Sequence, residues 1–197
     1  MNIATQAEMS TASDAGMSSR AQQTGPLPRT TTRLAAVDPL AAVIASSALW
    51  LPLLISASAS PSPNHPRIML WYRTLRQPTF KPPDLAIPLA WTAIEAALAF
   101  STYRLLRSPA SAAKNKALAW MTGNVLMIGG WSRLFFKHRN LPVSTAAAAA
   151  MVVSGAALTA QARKVDTAAA VATVPFVAWV AFATVLTGAI WRLNRKH

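Results

Sequence analysis

Five stretches of this chain are long and apolar enough to cross a lipid bilayer, and that pattern limits the possible fold more than any other feature. They cover residues 40–57, 85–106, 118–136, 142–162 and 167–191. About 20 apolar residues in a helix match the roughly 30 Å hydrocarbon core of a membrane. A helix also satisfies its own backbone donors and acceptors where no water can. The reading is an all-α chain, an integral membrane bundle of five transmembrane helices over residues 39–197. The first run has no charged residue between Asp38 and Arg67 and tolerates Pro52. In the second, Pro88 sits in the first turn, where its missing N–H costs nothing, and Arg104 and Arg107 are placed to snorkel from the end. The fourth is mostly alanine and valine with Gly155, a small-faced helix suited to close packing.

Bulk composition agrees with lipid as the solvent. Hydrophobic residues make up 53% and charged residues 13%, against roughly a quarter charged in soluble domains. With no cysteine, disulfides, thiol nucleophiles and thiolate metal sites are excluded. The net charge of +13 comes from lysines and arginines scattered among short loops and ends, which argues against nucleic acid as a partner and for anionic lipid headgroups. These cations divide almost evenly between the two sides of a five-span chain, so the positive-inside rule selects no orientation. Residues 1–38, rich in Ser, Thr, Ala and Gln ahead of the first span, read as a disordered tail.

From the first connector into the start of the second span runs the segment 71–91, from Trp71-Tyr72 through Pro78, Phe80-Lys81-Pro82-Pro83 to Trp91-Thr92. Three prolines remove donors and fix φ, so no regular helix or ladder is expected between Thr74 and Asp84. Aromatic and cationic residues together suit a segment held at a headgroup boundary. Here the chain is read as a loop that becomes a membrane helix.

The ordered set Trp71-Tyr72, Pro78, Pro82-Pro83, Trp91-Thr92, Trp131-Ser132 with Phe135-Phe136, Pro175-Phe176, Trp179-Val180-Ala181-Phe182-Ala183 and Trp191-Arg192-Leu193-Asn194 resembles the TspO/MBR family of translocator and tryptophan-rich sensory proteins. The resemblance covers residues 40–195. It implies a five-helix bundle, commonly a homodimer, acting as a multi-pass receptor or sensor. Its pocket would take porphyrin, haem, sterols or similar apolar ligands, with no obligatory cofactor. It also implies that the loop holding Trp71, Pro78, Pro82 and Pro83 lids the pocket. The bacterial cell membrane is the expected location, or the mitochondrial outer membrane in a eukaryote. A light-dependent porphyrin-degrading activity resting on pocket tryptophans, and passive transport, are the alternatives it leaves open.

Trp91, Trp131 and Trp179 match family tryptophans that line the pocket, and flat indoles suit a flat porphyrin; the competing reading is an interfacial belt. Trp179, Ala183 and Thr187 share one helix face at i, i+4 and i+8, as do Trp131 and Phe135. Tyr72, Ile128 and Phe176 complete the expected lining. Ile128 and Thr187 stand where the family carries asparagine, Asn124 where it carries glutamine, and Phe176 where it carries tyrosine, so the lining is less polar than the family's. Glu95, one turn after Trp91, is an ionisable group inside a span, which marks it for function; pairing with Arg104 or with a cation of the lid is one expectation for it. His65, His138 and His197 are the only histidines, a poor inventory for metal, and no Ser-His-Asp, Walker or dinucleotide signature is present.

Overall fold

In the computed structural model, which describes residues 37–61 and 64–195, every regular element among the described residues is helical. The order is α1 (Pro39–Ser56), α2 (Pro66–Thr74), α3 (Ala86–Arg107), α4 (Ala112–Ser132) running into a π-helical turn (Arg133–Lys137), α5 (Leu141–Arg163) and α6 (Thr167–Leu193). Of the five spans expected from the sequence, three, α1, α5 and α6, are long and apolar enough to cross a membrane by length and composition. Helices α3 and α4, of 22 and 21 residues, have the length but carry more polar side chains. The expected tail lies outside the described residues, except that Asp38 proves to be the N-cap of α1, its carboxylate accepting from the Ala41 N–H at 3.1 Å.

Two expectations need correction. The segment expected to be loop from residue 71 is helical as far as Thr74, because Pro66 stands in the first turn of α2, where proline starts a helix. The stretch from Leu75 to Asp84 is irregular, as its prolines require. Helix α4 begins six residues before the apolar run at Leu118: Ser111 caps it, its hydroxyl accepting from the Lys114 N–H at 3.1 Å. The Lys114 ammonium then turns back onto the Leu106 and Ser108 carbonyls at 2.7 Å each, closing the end of α3.

The interior mixes large apolar side chains such as Leu98, Leu105, Leu158 and Phe176 with many small and polar ones, and a further set of large apolar residues faces outward. Ala45, Ala48, Ala117, Ala148, Ala162 and Ala169 are buried, while Ile44, Trp50, Leu54, Phe100, Trp120, Leu126, Val153 and Val185 are exposed. Helices approach closely where a Cβ would not fit. A methyl group on Gly129 would lie 2.6 Å from Ile55 Cβ in α1, and one on Gly155 would lie 2.9 Å from the Phe176 ring in α6. Hydrogen bonds cross the same seams: Ser154 to Asn124 Oδ1 at 2.7 Å joins α5 to α4, Ser101 to the Ala169 carbonyl at 2.9 Å joins α3 to α6, and Thr159 meets Thr173 at 2.7 Å. Every fully enclosed side-chain nitrogen or oxygen among the described residues has a partner.

Successive long helices run antiparallel, so the bundle has two ends. One gathers the end of α1, α2, the start of α3, the π turn, the start of α5 and the end of α6; it is the lid end. The other is closed by the short connectors 108–111 and 164–166.

Candidate functional site

The lid end is where the aromatic residues meet, and the π turn is part of the reason. Its wide turn, closed by the His138 N–H on the Arg133 carbonyl at 2.9 Å, inserts an extra residue. Trp131 then stacks on Phe135 at 4.9 Å with an 18° interplanar angle and meets Phe136 edge-on at 6.1 Å. The Trp131 indole N–H donates to the Ser144 carbonyl of α5 at 2.9 Å, which fixes the ring. From α2, Trp71 and Tyr72 pack edge-on against Phe135 at 5.9 and 6.4 Å, and Tyr72 meets Phe136 at 5.6 Å. Phe135 is buried at the centre of this group.

A second aromatic group occupies the faces of α3 and α6. Trp91 and Trp179 meet edge to face at 6.4 Å, Trp179 lies 5.5 Å from Phe182, and Phe182 meets Phe80 of the lid at 6.4 Å. Of the three tryptophans singled out in the sequence, the structure therefore brings two together and places Trp131 in the other group. Phe182 falls three residues after Trp179, a spacing that marks a shared helix face, and with Phe80 it was absent from the expected lining.

The remaining expected residues divide by depth. Phe176 is fully buried, its ring set beside Gly155 at the α5–α6 seam. Ile128 belongs to the main hydrophobic core. Ala183 is half-buried on α6, and Thr187 is buried with its hydroxyl donating to the Ala183 carbonyl at 2.7 Å. Glu95 is 5% exposed, one turn below Trp91 on the inner face of α3. It is paired neither with Arg104 nor with a lid cation: Arg104 instead grips Asp166 with two bonds of 2.9 and 2.6 Å at the closed end, and Lys81 pairs with Asp84. These are the ion pairs of the described residues. Nor do the described residues contain a group of three or more metal-ligating side chains.

The lid itself is pinned at three points. Asn194, just past α6, makes a two-bond clamp with the Arg76 backbone: the Arg76 N–H donates to Asn194 Oδ1 and Asn194 Nδ2 donates to the Arg76 carbonyl, each at 3.0 Å. The Lys81 ammonium sits 5.3 Å from the centre of the Tyr72 ring. Burial raises the Tyr72 phenol above its ordinary value against the opposing pull of Lys81, so it is neutral at physiological pH. Phe80 is the third point, seated against Phe182.

Two cavities open beside this lid. The larger, about 980 Å³, runs from Gln77, Pro78 and Phe80 to Thr145, Thr184 and Gly188. The smaller, about 670 Å³, lies between Trp71, Arg76, Arg139, Trp191 and Arg195. Neither is lined by Trp91, Trp131 or Trp179; the indoles lie in ring contacts, and the open space lies next to the lid.

With this geometry in hand, the comparisons with known proteins are specific. The model of the TspO/MBR family matches residues 34–192. The chain is 29% identical over 124 residues to a tryptophan-rich sensory protein of Cereibacter sphaeroides, covering 63% of this chain and 77% of the relative. It is 28% identical over 134 residues to the translocator protein of Homo sapiens, covering 66% and 78%. To protein CrtK of Rhodobacter capsulatus it is 27% identical over 128 residues, covering 63% and 78%.

Proposed function

Because the chain belongs to the TspO/MBR family, we propose that it is a multi-pass membrane receptor or sensor for a flat apolar ligand of the porphyrin or haem kind. All five long helices span the bilayer in this reading. At 1.5 Å per residue α3 and α4 reach ~32 Å, enough for the hydrocarbon core, and the band of exposed apolar side chains around the bundle would be a large aggregation-prone patch in water. The observation that carries the ligand reading is that one lid touches both aromatic groups, Phe80 reaching Phe182 and Tyr72 reaching Phe135 and Phe136.

The 980 Å³ cavity is at the upper end of small-molecule sites, roughly 300–1,000 Å³. The ligand enters there, lifts Phe80 off Phe182 and lies against Trp179 and Trp91. Each ring contact adds about 0.5–1.5 kcal/mol beyond burial. Glu95, one turn below, sets the polarity of the inner wall. Thr79, Thr145 and Thr184 are the hydroxyl-bearing residues that line the cavity.

The test is to titrate detergent-purified protein with protoporphyrin in the dark and under light, following tryptophan fluorescence and Soret absorbance. Saturable quenching in the dark, with the Soret band intact, is the expected result. Loss of the Soret band under light that Trp91→Phe or Trp179→Phe slows would move the protein to the porphyrin-degrading class. Absence of quenching overturns the ligand reading.

A further inference from the structure

The smaller cavity has a chemistry of its own. Three guanidinium-bearing residues from three separate segments line it: Arg76 from the lid, Arg139 from the turn after the π helix, and Arg195 from beyond α6. Among the described residues no carboxylate lines it, and their ion pairs involve none of the three. Two of the guanidiniums lie by indoles on the same wall, Arg139 at 5.2 Å from the centre of Trp71 and Arg195 at 5.9 Å from Trp191. Arg139 also holds the left-handed conformation, φ 54°, the only non-glycine residue to do so among the described residues, at a cost the surrounding turn must bear.

Cations near the ends of α4 and α6 complement the helix dipoles, but that does not require them to converge on one hollow. Convergence of like charges is unfavourable unless an anion joins them. The hollow sits where α5 begins and α6 ends, the depth at which tryptophans and arginines meet headgroups. We infer that this cavity is a seat for the phosphate of an anionic phospholipid, its guanidiniums binding the oxygens and the indoles of Trp71 and Trp191 lying along the glycerol and upper chain. Guanidinium suits phosphate because its fork matches two oxygens at once. With Asn194 clamping Arg76, the bound headgroup ties the lid to the end of α6.

Native mass spectrometry of the full chain, with no porphyrin present and released from micelles doped equally with phosphatidylglycerol and phosphatidylcholine, tests this. The expected result is retention of one phosphatidylglycerol in preference to phosphatidylcholine. In the Arg76→Gln/Arg139→Gln double variant that preference falls by about thirtyfold, at roughly 1 kcal/mol per arginine, while Arg163→Gln at the closed end leaves it unchanged. Equal retention of the two lipids, or an equal loss in Arg163→Gln, overturns the site. Displacement of the lipid by millimolar inorganic phosphate would assign the same oxyanion chemistry to a soluble anion and overturn the lipid assignment. The double variant is checked for folding by its thermal stability in phosphatidylcholine alone, which should match the parent.

Discussion

The two ends of the bundle are built on opposite rules. At the closed end the connectors are short, Lys114 seals two carbonyls of α3, Asp166 caps α6 through the Ala169 N–H while paired to Arg104, and Ala162 and Ala169 are completely buried. Little there has room to move. At the lid end the connection from α1 to α3 is long, the contacts are ring to ring, and both cavities open. Edge-to-face ring contacts hold without filling space as aliphatic packing does, so one end is packed solid while the other keeps open space.

The sharpest break of this contrast is to over-pack the anchored half. Gly155→Leu drives a side chain into Phe176 and Val177, and should cost about 3 kcal/mol, read as a large drop in thermal unfolding temperature in detergent. An unchanged temperature would mean that the α5–α6 seam is loose. Next is Asn194→Ala, which removes the two clamp bonds on Arg76. At ~1 kcal/mol each, backbone hydrogen exchange around Arg76 should speed by about thirtyfold, with exchange at the closed end unaltered. If both ends speed up equally, the lid is not an independent unit.

A smaller effect is expected at the aromatic group shared by α3 and α6. Trp179→Ala should weaken porphyrin quenching by about tenfold without lowering thermal stability as Gly155→Leu does; Trp131→Ala, which also frees the Ser144 carbonyl, should lower stability more and affinity less. The reverse order would exchange the roles of the two aromatic groups. The smallest effect belongs to the ion pair. The Arg104 guanidinium, hydrogen-bonded to Asp166, holds that carboxyl below its ordinary value. A depressed folded pKa means the stabilisation is present above the unfolded value and lost as pH falls through the folded one. Stability should therefore decline by up to ~1 kcal/mol below about pH 4, this being a partly exposed pair. In Asp166→Asn that acid step should disappear.

How much of this was legible beforehand follows from which interactions are local. The Trp131–Phe135 stack lies at helical spacing and reads directly, and so does the irregular backbone after Thr74, since prolines act on their own residue and the one before. Capping is local too, and Ser111 with Asn115 and Lys116 after it could have moved the start of α4 back from the apolar run. The partners of Arg104, Asn194 and Trp131 are not local: Asp166, Arg76 and Ser144 lie 62, 118 and 13 residues away. Charge and depth alone offered Glu95 to Arg104, and only the crossing of α3 beside the α5–α6 connector gave that arginine a different carboxylate.

By itself, the sequence determined an all-helical, membrane-type chain with a proline-broken lid, because hydropathy, proline geometry and helical period are properties of single residues and near neighbours. Tertiary structure decided which indoles meet, that the open space lies beside the lid and away from Trp91 and Trp179, and that three arginines face one hollow. Those outcomes depend on how far each helix slides and turns against the next, and that is set by glycines such as Gly129 and Gly155 meeting side chains more than 20 residues away in sequence.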